Sequence, residues 1–551
     1  MKECSSFCSS MGSSCSSFML MLVIIPLILI SAGFVSVLGP NKAAGNSSWF
    51  SLVSHSPWVR KSTGVYSSSN GTTSSSIAKE SRYHGLNKNM MSLHYQHQYD
   101  HREKALSSQE DLASFNHSSP PSVLAKETIQ IHKPLDEELK QEGLLKSFTN
   151  LSYDHVGMKS KKKVLDSKLQ RLELGLAKAR ASIREASKYR NDQIPDPNLI
   201  PVGPMYWNSH AFHRSYLEME KQFKVFVYEE GDPPLFHSGP CKSIYSMEGN
   251  FIHQMEMQGR FRTQDPDKAH VYFLPFSITM MVRFAYVPNS HDITPIKKAV
   301  VDYVNVIGSR YPFWNRSLGA DHFMLSCHDW GPMTSKYVPH MFNNSIRALC
   351  NANTSEGFRP SKDVSIPEIN LRTGDTKGWL GGPSPSHRPI LAFFAGGLHG
   401  PVRPILLDHW FNKDDDIRVY KYLPKHMSYQ DMMKKSKFCI CPSGYEVASP
   451  RIVEAFYAGC VPVLINDYYA LPFGDVLNWR SFSIVVPVNE IPNLKKILTS
   501  VSQRRYIKMQ QRGLKIRRHF EVNSPPERFD VFHMILHSIW LRRLNIQVAD
   551  R

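Results

Sequence analysis

The sequence predicts an α/β protein with two doubly wound, parallel-sheet domains facing a cleft, and three observations carry that prediction. From about residue 200 to the end, apolar runs of strand length alternate with helical patterns, as expected of βαβ units. The Gly/Pro/Ser-rich stretch "GWLGGPSPSHRP", residues 378–389, interrupts the alternation, which then restarts, dividing the globular part in two. In the second half, "KFCICPSGYEVASPRIVEAFYAGCVPVLI", residues 437–465, reads as strand, loop, helix, strand. Two buried strands joined through a helix need a parallel sheet.

The elements follow in chain order. Residues 18–38, "FMLMLVIIPLILISAGFVSVL", carry no charge, and that length spans a bilayer once. A cleaved signal peptide is the rival reading. The flank before the run has no net positive charge, and the apolar run continues past "SAG", so an uncleaved signal anchor is expected, with residues 1–17 as a cytoplasmic tail. Flanking charges give almost no orientation. Sequons speak to the side: Asn46, Asn70, Asn116, Asn150, Asn315, Asn343 and Asn353 each open an N-x-S/T triplet, and the first four fall after the anchor, as suits a lumenal stalk. Residues 39–160 are rich in Ser, Asn and His without sustained periodicity and read as a disordered lumenal stem. In residues 161–190, Leu165, Leu169, Leu172, Leu176, Ala179, Ile183 and Ala186 recur at heptad spacing. This helix either pairs with another chain, giving a homo- or hetero-oligomer, or packs on the domain behind it.

The first globular domain is expected over residues 200–385. "FKVFVYE" and "AHVYFLPF" are strands, Val300, Val301, Val304 and Ile307 mark a helix, and "DHFMLSCHDWG" is a strand ending in polar residues. The second domain is expected over 386–547. There "ILAFFAGG" is a strand, the turn "LHGPVRP" leads to a helix through Leu406, Leu407 and Trp410, "DIRVYKYL" is a strand, and "SYQDMMKKS" is a helix. The 437–465 unit follows, and "FSIVVPV" and "NLKKILTSV" close the alternation. Of nine cysteines, Cys4, Cys8 and Cys15 precede the anchor, as palmitoylation sites or plain free thiols. Cys241, Cys327, Cys350, Cys439, Cys441 and Cys460 follow it, and in a lumen some of them could pair with a connectivity that spacing does not give; Cys439, Cys441 and Cys460 occupy strand positions and read as small core residues.

Composition narrows the function. The net charge is +18, yet zinc spacing, aromatic RNA-binding patterns and basic heptad helices are all missing, so no nucleic-acid partner is expected. The densest basic run, "RRYIKMQQRGLKIRRHF", has apolar positions at helical spacing and reads as a solvated helix face. Chemistry concentrates in residues 441–467. Ser449 and Pro450 are a helix-start pair. Arg451 then sits in the first turn, where the helix dipole disfavours a cation unless an anion offsets it. Glu454, about one turn on, is placed to accept hydrogen bonds from a ribose diol. On the residues alone, a nucleotide diphosphate site and a plain i, i+3 surface pair both stand.

"KVFVYEEGDPPLFHSGP", "DPDKAHVYFLPFS", "HDWGP", "LAFFAGGLHGPVRP" and above all "SKFCICPSGYEVASPRIVEAFYAGCVPVLI" resemble the plant exostosin-type glycosyltransferases of family 47 over about residues 200–547. The helical stretch "LELGLAKARASIREA" is similar to members of that group too. The resemblance implies a GT-B fold of two Rossmann-like domains, the first binding acceptor and the second donor. It also implies a single-pass type II protein of the Golgi membrane, with its catalytic part lumenal. The implied reaction is inverting transfer from a nucleotide sugar, usually a UDP-sugar, to a cell-wall polysaccharide or glycan. No metal and no cofactor are expected. Ser443, Gly444 and Glu446 would shape the donor pocket, Arg451 would meet the diphosphate and Glu454 the ribose. His399 and Arg403 form a second donor-binding group. Many family members carry an Arg-containing variant where this chain has Gly397 and Leu398, which bears on the diphosphate contacts. For the general base, His328 and Asp329 stand at a strand's C-terminal end, where ligands approach α/β sheets. Glu248 and His253 are rivals. Two other classes remain: a non-catalytic partner of another glycosyltransferase, and a metal-dependent enzyme of the GT-A class using "DPD" at 265–267 or "DDD" at 414–416.

Overall fold

The computed structural model describes residues 158–189, 203–257, 259–374, 376 and 378–548. The expected tail, the anchor at 18–38, nearly all of the stem, Cys4, Cys8, Cys15 and the sequons at Asn46, Asn70, Asn116 and Asn150 lie outside these residues. Among the described residues no helix is long and apolar enough to cross a membrane.

Helix α1 (Met158–Ala186) carries the heptad stripe and uses it within the chain. Leu169, Leu176 and Ala179 are buried, and Ile183 packs on the main core. The stripe lies along α2 (Ser209–Gln222), whose first turn is capped by the Asn208 side chain accepting the Ala211 N–H. Polar ties hold the same helix: Lys168 reaches Asp267 at 2.9 Å and Arg543 reaches Glu173 at 2.5 Å. Of the two sequence readings of this helix, packing on its own domain is the one seen within the chain.

The first sheet contains β1 (Val225–Val227), β2 (Val271–Phe273), β3 (His322–Ser326), β4 (Ile346–Leu349) and β5 (Val364–Ser365). All pairs are parallel, and the spatial order follows the sequence without reversal. Every strand residue is buried, as expected of a parallel sheet covered on both faces. Val225, Val227, Val271, Phe273 and Leu325 face one core with α3 (Ser246–Met257). Phe226, Tyr272 and Met324 face the other with α4 (Thr294–Arg310). This half is covered on both faces but is not doubly wound in strand order: an unreversed order has no switch point.

The second sheet contains β6 (Ile390–Ala395), β7 (Ile417–Tyr420), β8 (Ser436–Pro442), β9 (Val461–Ile465) and β10 (Ile484–Val485), again all parallel, in the order β10-β9-β8-β6-β7. The order reverses between β6 and β8. Open α/β sheets leave a crevice at the C-terminal ends of two such strands. Its helices include α5 (Val402–Trp410), α6 (Tyr429–Lys435) and α7 (Arg451–Ala458).

Two expectations are corrected by the packing. The helix Val531–Leu544, expected in the second domain, crosses back onto β4, β5 and α2. Its residues from Val531 to Trp540 are buried on every side. A helix apolar all round needs cover all round, and the first sheet supplies it. The cysteines also differ. Cys439 and Cys460, expected as core fillers, form a disulfide from β8 to the residue before β9, and Cys327–Cys350 ties the chain past β3 to the chain past β4. Two cysteines on adjacent parallel strands that face the same layer come within bonding reach, a relation their spacing does not reveal. Cys441 is a buried free thiol, as expected.

Candidate active site

A cleft of about 650 Å³ opens at the C-terminal ends of β6 and β8, and the first sheet's C-terminal edge forms its opposite wall. The second-sheet wall is built from two loops. The loop after β6, "GGLHGP", approaches the loop after β8, "SGYEVAS". Gly400 has a φ of +69°, and a Cβ there would lie 1.8 Å from the Gly444 carbonyl oxygen, so the contact requires glycine. At Gly396 a Cβ would lie 2.5 Å from the Arg451 Nη2, so a side chain there would displace that guanidinium.

Two arginines are gathered by these loops. Arg451 opens α7, donates to the Ala395 carbonyl at 3.2 Å and lies 5.2 Å over the Phe394 ring. Arg403, in the first turn of α5, is 7% exposed and makes a long contact of 3.4 Å to the Gly397 carbonyl. The Nε atoms of both are buried without a partner, as is the Ser449 hydroxyl before α7. Burial, and then the Arg451 cation, pull Arg403 down to about 10. Two adjacent, half-satisfied guanidiniums at two helix starts are a costly arrangement that an anion relieves. His399 stands at the mouth with its ring edge-on to Tyr445. Partial burial and both arginines hold it below the ordinary imidazole value.

Glu454 is 5% exposed; it accepts the Tyr429 hydroxyl at 2.9 Å and makes a long contact of 3.5 Å with the Asn370 amide. It is therefore not half of a surface pair with Arg451. Glu446 also lines the cleft. Its Oε2 is buried and unpartnered, and burial together with Glu356, Asp329 and Glu368 pushes the carboxyl up to about 9. Gly444 lies against Arg403, whereas Ser443 is buried behind the wall with its amide donating to the Ile465 carbonyl.

The opposite wall carries Asp329, which accepts the Asn351 amide at 3.2 Å. His328, expected beside it in catalysis, does not line the cleft. Its Nδ1 accepts the Trp330 N–H at 3.1 Å and its ring packs between Tyr245 and Trp330. Glu248 is excluded as a base by its own geometry. It is fully buried and accepts from Ser326, Cys327 N and His328 N on one oxygen and from Ser277 and Thr279 N on the other. A carboxylate so saturated is a clamp on two loops. His253 lies half-buried on α3. Glu368, 6% exposed, is a cleft residue that the sequence reading missed. It lies three residues past β5, a strand of two residues, too short for any periodicity to mark it. An acidic residue just beyond "VSI" is the signal that could have found it.

The acidic triplets face lysines instead of the cleft. Asp265 and Asp267 pair with Lys268 and Lys168, and Asp414 and Asp416 both pair with Lys495. Among the described residues no group of three or more His, Cys, Asp or Glu forms a metal-holding cluster. Of the described sequons, Asn315 and Asn343 are exposed. Asn353 is not suited to carry a glycan: it is buried, and its side-chain oxygen caps the turn at Ser355.

Comparison with known proteins decides the family. The Exostosin GT47 domain model matches residues 219–501. The chain belongs to the exostosin glycosyltransferase family 47. A probable glycosyltransferase of Arabidopsis thaliana is 68% identical over 393 residues, covering 71% of this chain and 76% of that one. A probable glucuronoxylan glucuronosyltransferase of the same plant is 27% identical, over 66% of this chain and 81% of its own. Among solved structures, the Anabaena protein HepE in complex with UDP and glucose aligns with a TM-score of 0.30 and 11% identity, over 57% of this chain and 97% of that one. That likeness is too remote to carry an argument. This family 47 chain is thus a glycosyltransferase by membership, related to transferases of xylan synthesis, and its two five-stranded parallel sheets make it an α/β protein.

Proposed function

We propose that the chain transfers a sugar from a nucleotide sugar, a UDP-sugar in the first instance, to a cell-wall polysaccharide or glycan, with inversion, in a GT-B arrangement. The observation that carries this reading is the Arg403–Arg451 pair, with unpartnered Nε atoms, at the strand-order reversal of the second sheet. The diphosphate lies against the two guanidiniums and the starts of α5 and α7. These groups stabilise charge that grows as the sugar leaves, so no metal is needed. Glu454, held by Tyr429 and Asn370, receives the ribose hydroxyls. The acceptor approaches from the first-sheet wall, where carboxyl groups stand to remove its proton. The disulfides Cys327–Cys350 and Cys439–Cys460 suit an oxidising compartment, which supports a Golgi chain, anchored through residues 18–38, with its catalytic part lumenal.

Steady-state kinetics of the full chain against a panel of UDP-sugars and cell-wall oligosaccharides tests the reading. Arg451→Ala should lower both kcat and donor affinity, because its contact strengthens as charge develops. Glu454→Ala should raise the donor KM by about 1.5–3 kcal/mol equivalent and touch kcat less. Wild-type kinetics in both variants would remove the donor from this cleft. Purified chain that binds UDP-sugars but transfers nothing would favour a non-catalytic partner.

A further inference from the structure

An inverting transfer needs a group that takes the proton of the acceptor hydroxyl, and the cleft offers four carboxyls: Asp329, Glu368, Glu446 and Glu454. Three have features that set them apart from that task. Glu454 belongs to the second-sheet wall and its carboxylate takes the Tyr429 hydroxyl. Glu446 stands on the loop after β8, beside the donor groups, with one oxygen sealed from the cleft. Asp329 is on the correct wall, but one oxygen holds the Asn351 amide and the Tyr245 phenol lies against it. A carboxylate that accepts hydrogen bonds is a weaker base.

Glu368 differs from all three. It projects from the C-terminal edge of the first sheet into the cleft and is nearly buried. Among the described residues no donor hydrogen-bonds its carboxylate, and its strongest interactions are electrostatic, with Asp329, Arg451, Glu454 and Arg403. It lines the same cleft as the two arginines, from the first-sheet wall. We propose that Glu368 is the general base of the transfer. This inference rests on the nucleotide-sugar reading of the cleft. The proton of the acceptor hydroxyl moves to the Glu368 carboxylate as the acceptor oxygen bonds to the anomeric carbon. The bond from that carbon to the phosphate oxygen breaks, and its electron pair leaves on the nucleoside diphosphate beside Arg403 and Arg451. Burial, and then the Asp329 carboxylate, push Glu368 up to about 8, so its basic form grows in through neutral pH. The groups facing it are Asp329, Glu446, Glu454, Arg403, Arg451 and the phenols of Tyr245 and Tyr469.

The test uses the full chain with UDP-xylose, UDP-galactose and UDP-glucuronic acid and a set of cell-wall oligosaccharides. Glu368→Gln should lose about 100-fold or more in kcat while binding UDP within about twofold of wild type. The rise of kcat with pH up to about 8 should vanish with it. Glu368→Ala given sodium azide should regain UDP release and yield the glycosyl azide, because azide attacks without losing a proton. Asp329→Asn should lose less and gain nothing from azide. Glu368→Gln that keeps more than a tenth of kcat overturns the proposal, as does azide rescue of the Asp329 variant alone. Loss of UDP binding without azide rescue marks a structural role and overturns it too. A wild type that binds UDP but turns over no UDP-sugar, with or without azide, leaves nothing for Glu368 to assist. A wild type that binds no UDP fails the donor reading itself.

Discussion

Glu368 and Glu446 hold protons that an exposed carboxyl would have lost, and this has a consequence for stability. Both are raised above the ordinary carboxylate value, to about 8 and about 9. Between the unfolded value near 4.5 and those folded values, the folded chain binds more protons than the unfolded one. Stability must therefore fall as pH rises through that window. Thermal unfolding of the full chain should show Tm declining from pH 5 to 8.5, and the decline should flatten in Glu368→Gln/Glu446→Gln. An unchanged slope would mean that both carboxyls are solvated. At Gly396 the expected effect is on function: Gly396→Ala drives a methyl into the Arg451 guanidinium and should weaken UDP binding about tenfold or more, with Tm nearly kept. The placement of Arg451 and Glu454 on the cleft was legible in the sequence, because a helix start at Pro450 fixes which residues its first turn presents, although the Ser449 hydroxyl does not cap that helix. The clamp role of Glu248 was not, since its five donors come from two loops 29 to 80 residues away, and no spacing encodes that.

At the level of elements, the strand–loop–helix–strand unit at 437–465 was readable because its strands are continuous apolar runs and Gly459 ends the helix in the left-handed conformation. Three things were hidden. Strand β5 has two residues, the helix Val531–Leu544 has no polar face to declare its partner, and the disulfides depend on strand adjacency. The heptad stripe of α1 fitted two partners equally, and its spacing did not reveal that Leu176 and Ala179 are buried in the chain's own core. Peptide mapping under non-reducing conditions should recover Cys327 linked to Cys350 and Cys439 linked to Cys460. Cys439→Ser/Cys460→Ser should cost about 2–4 kcal/mol of stability. An unaltered unfolding curve in that variant would show that the bridge does not constrain the second sheet.

For the whole molecule, the two-sheet architecture was predictable from the alternation of elements and its single Gly/Pro/Ser break. The return of the chain to the first sheet was not, because periodicity says which face is apolar and not which sheet will cover it. The proposed topology has its own check: protease added to intact Golgi vesicles should spare the region after residue 40, and digestion there would remove the lumenal assignment. The central claim is a metal-free diphosphate site at the β6/β8 reversal, and calorimetric titration of UDP into the full chain in excess EDTA tests it most directly. Wild type should bind, and Arg403→Ala and Arg451→Ala should each weaken binding by about 1.5–3 kcal/mol, the worth of a charge-assisted contact. Binding that appears only when manganese is added, or that survives unchanged in both variants, would contradict it.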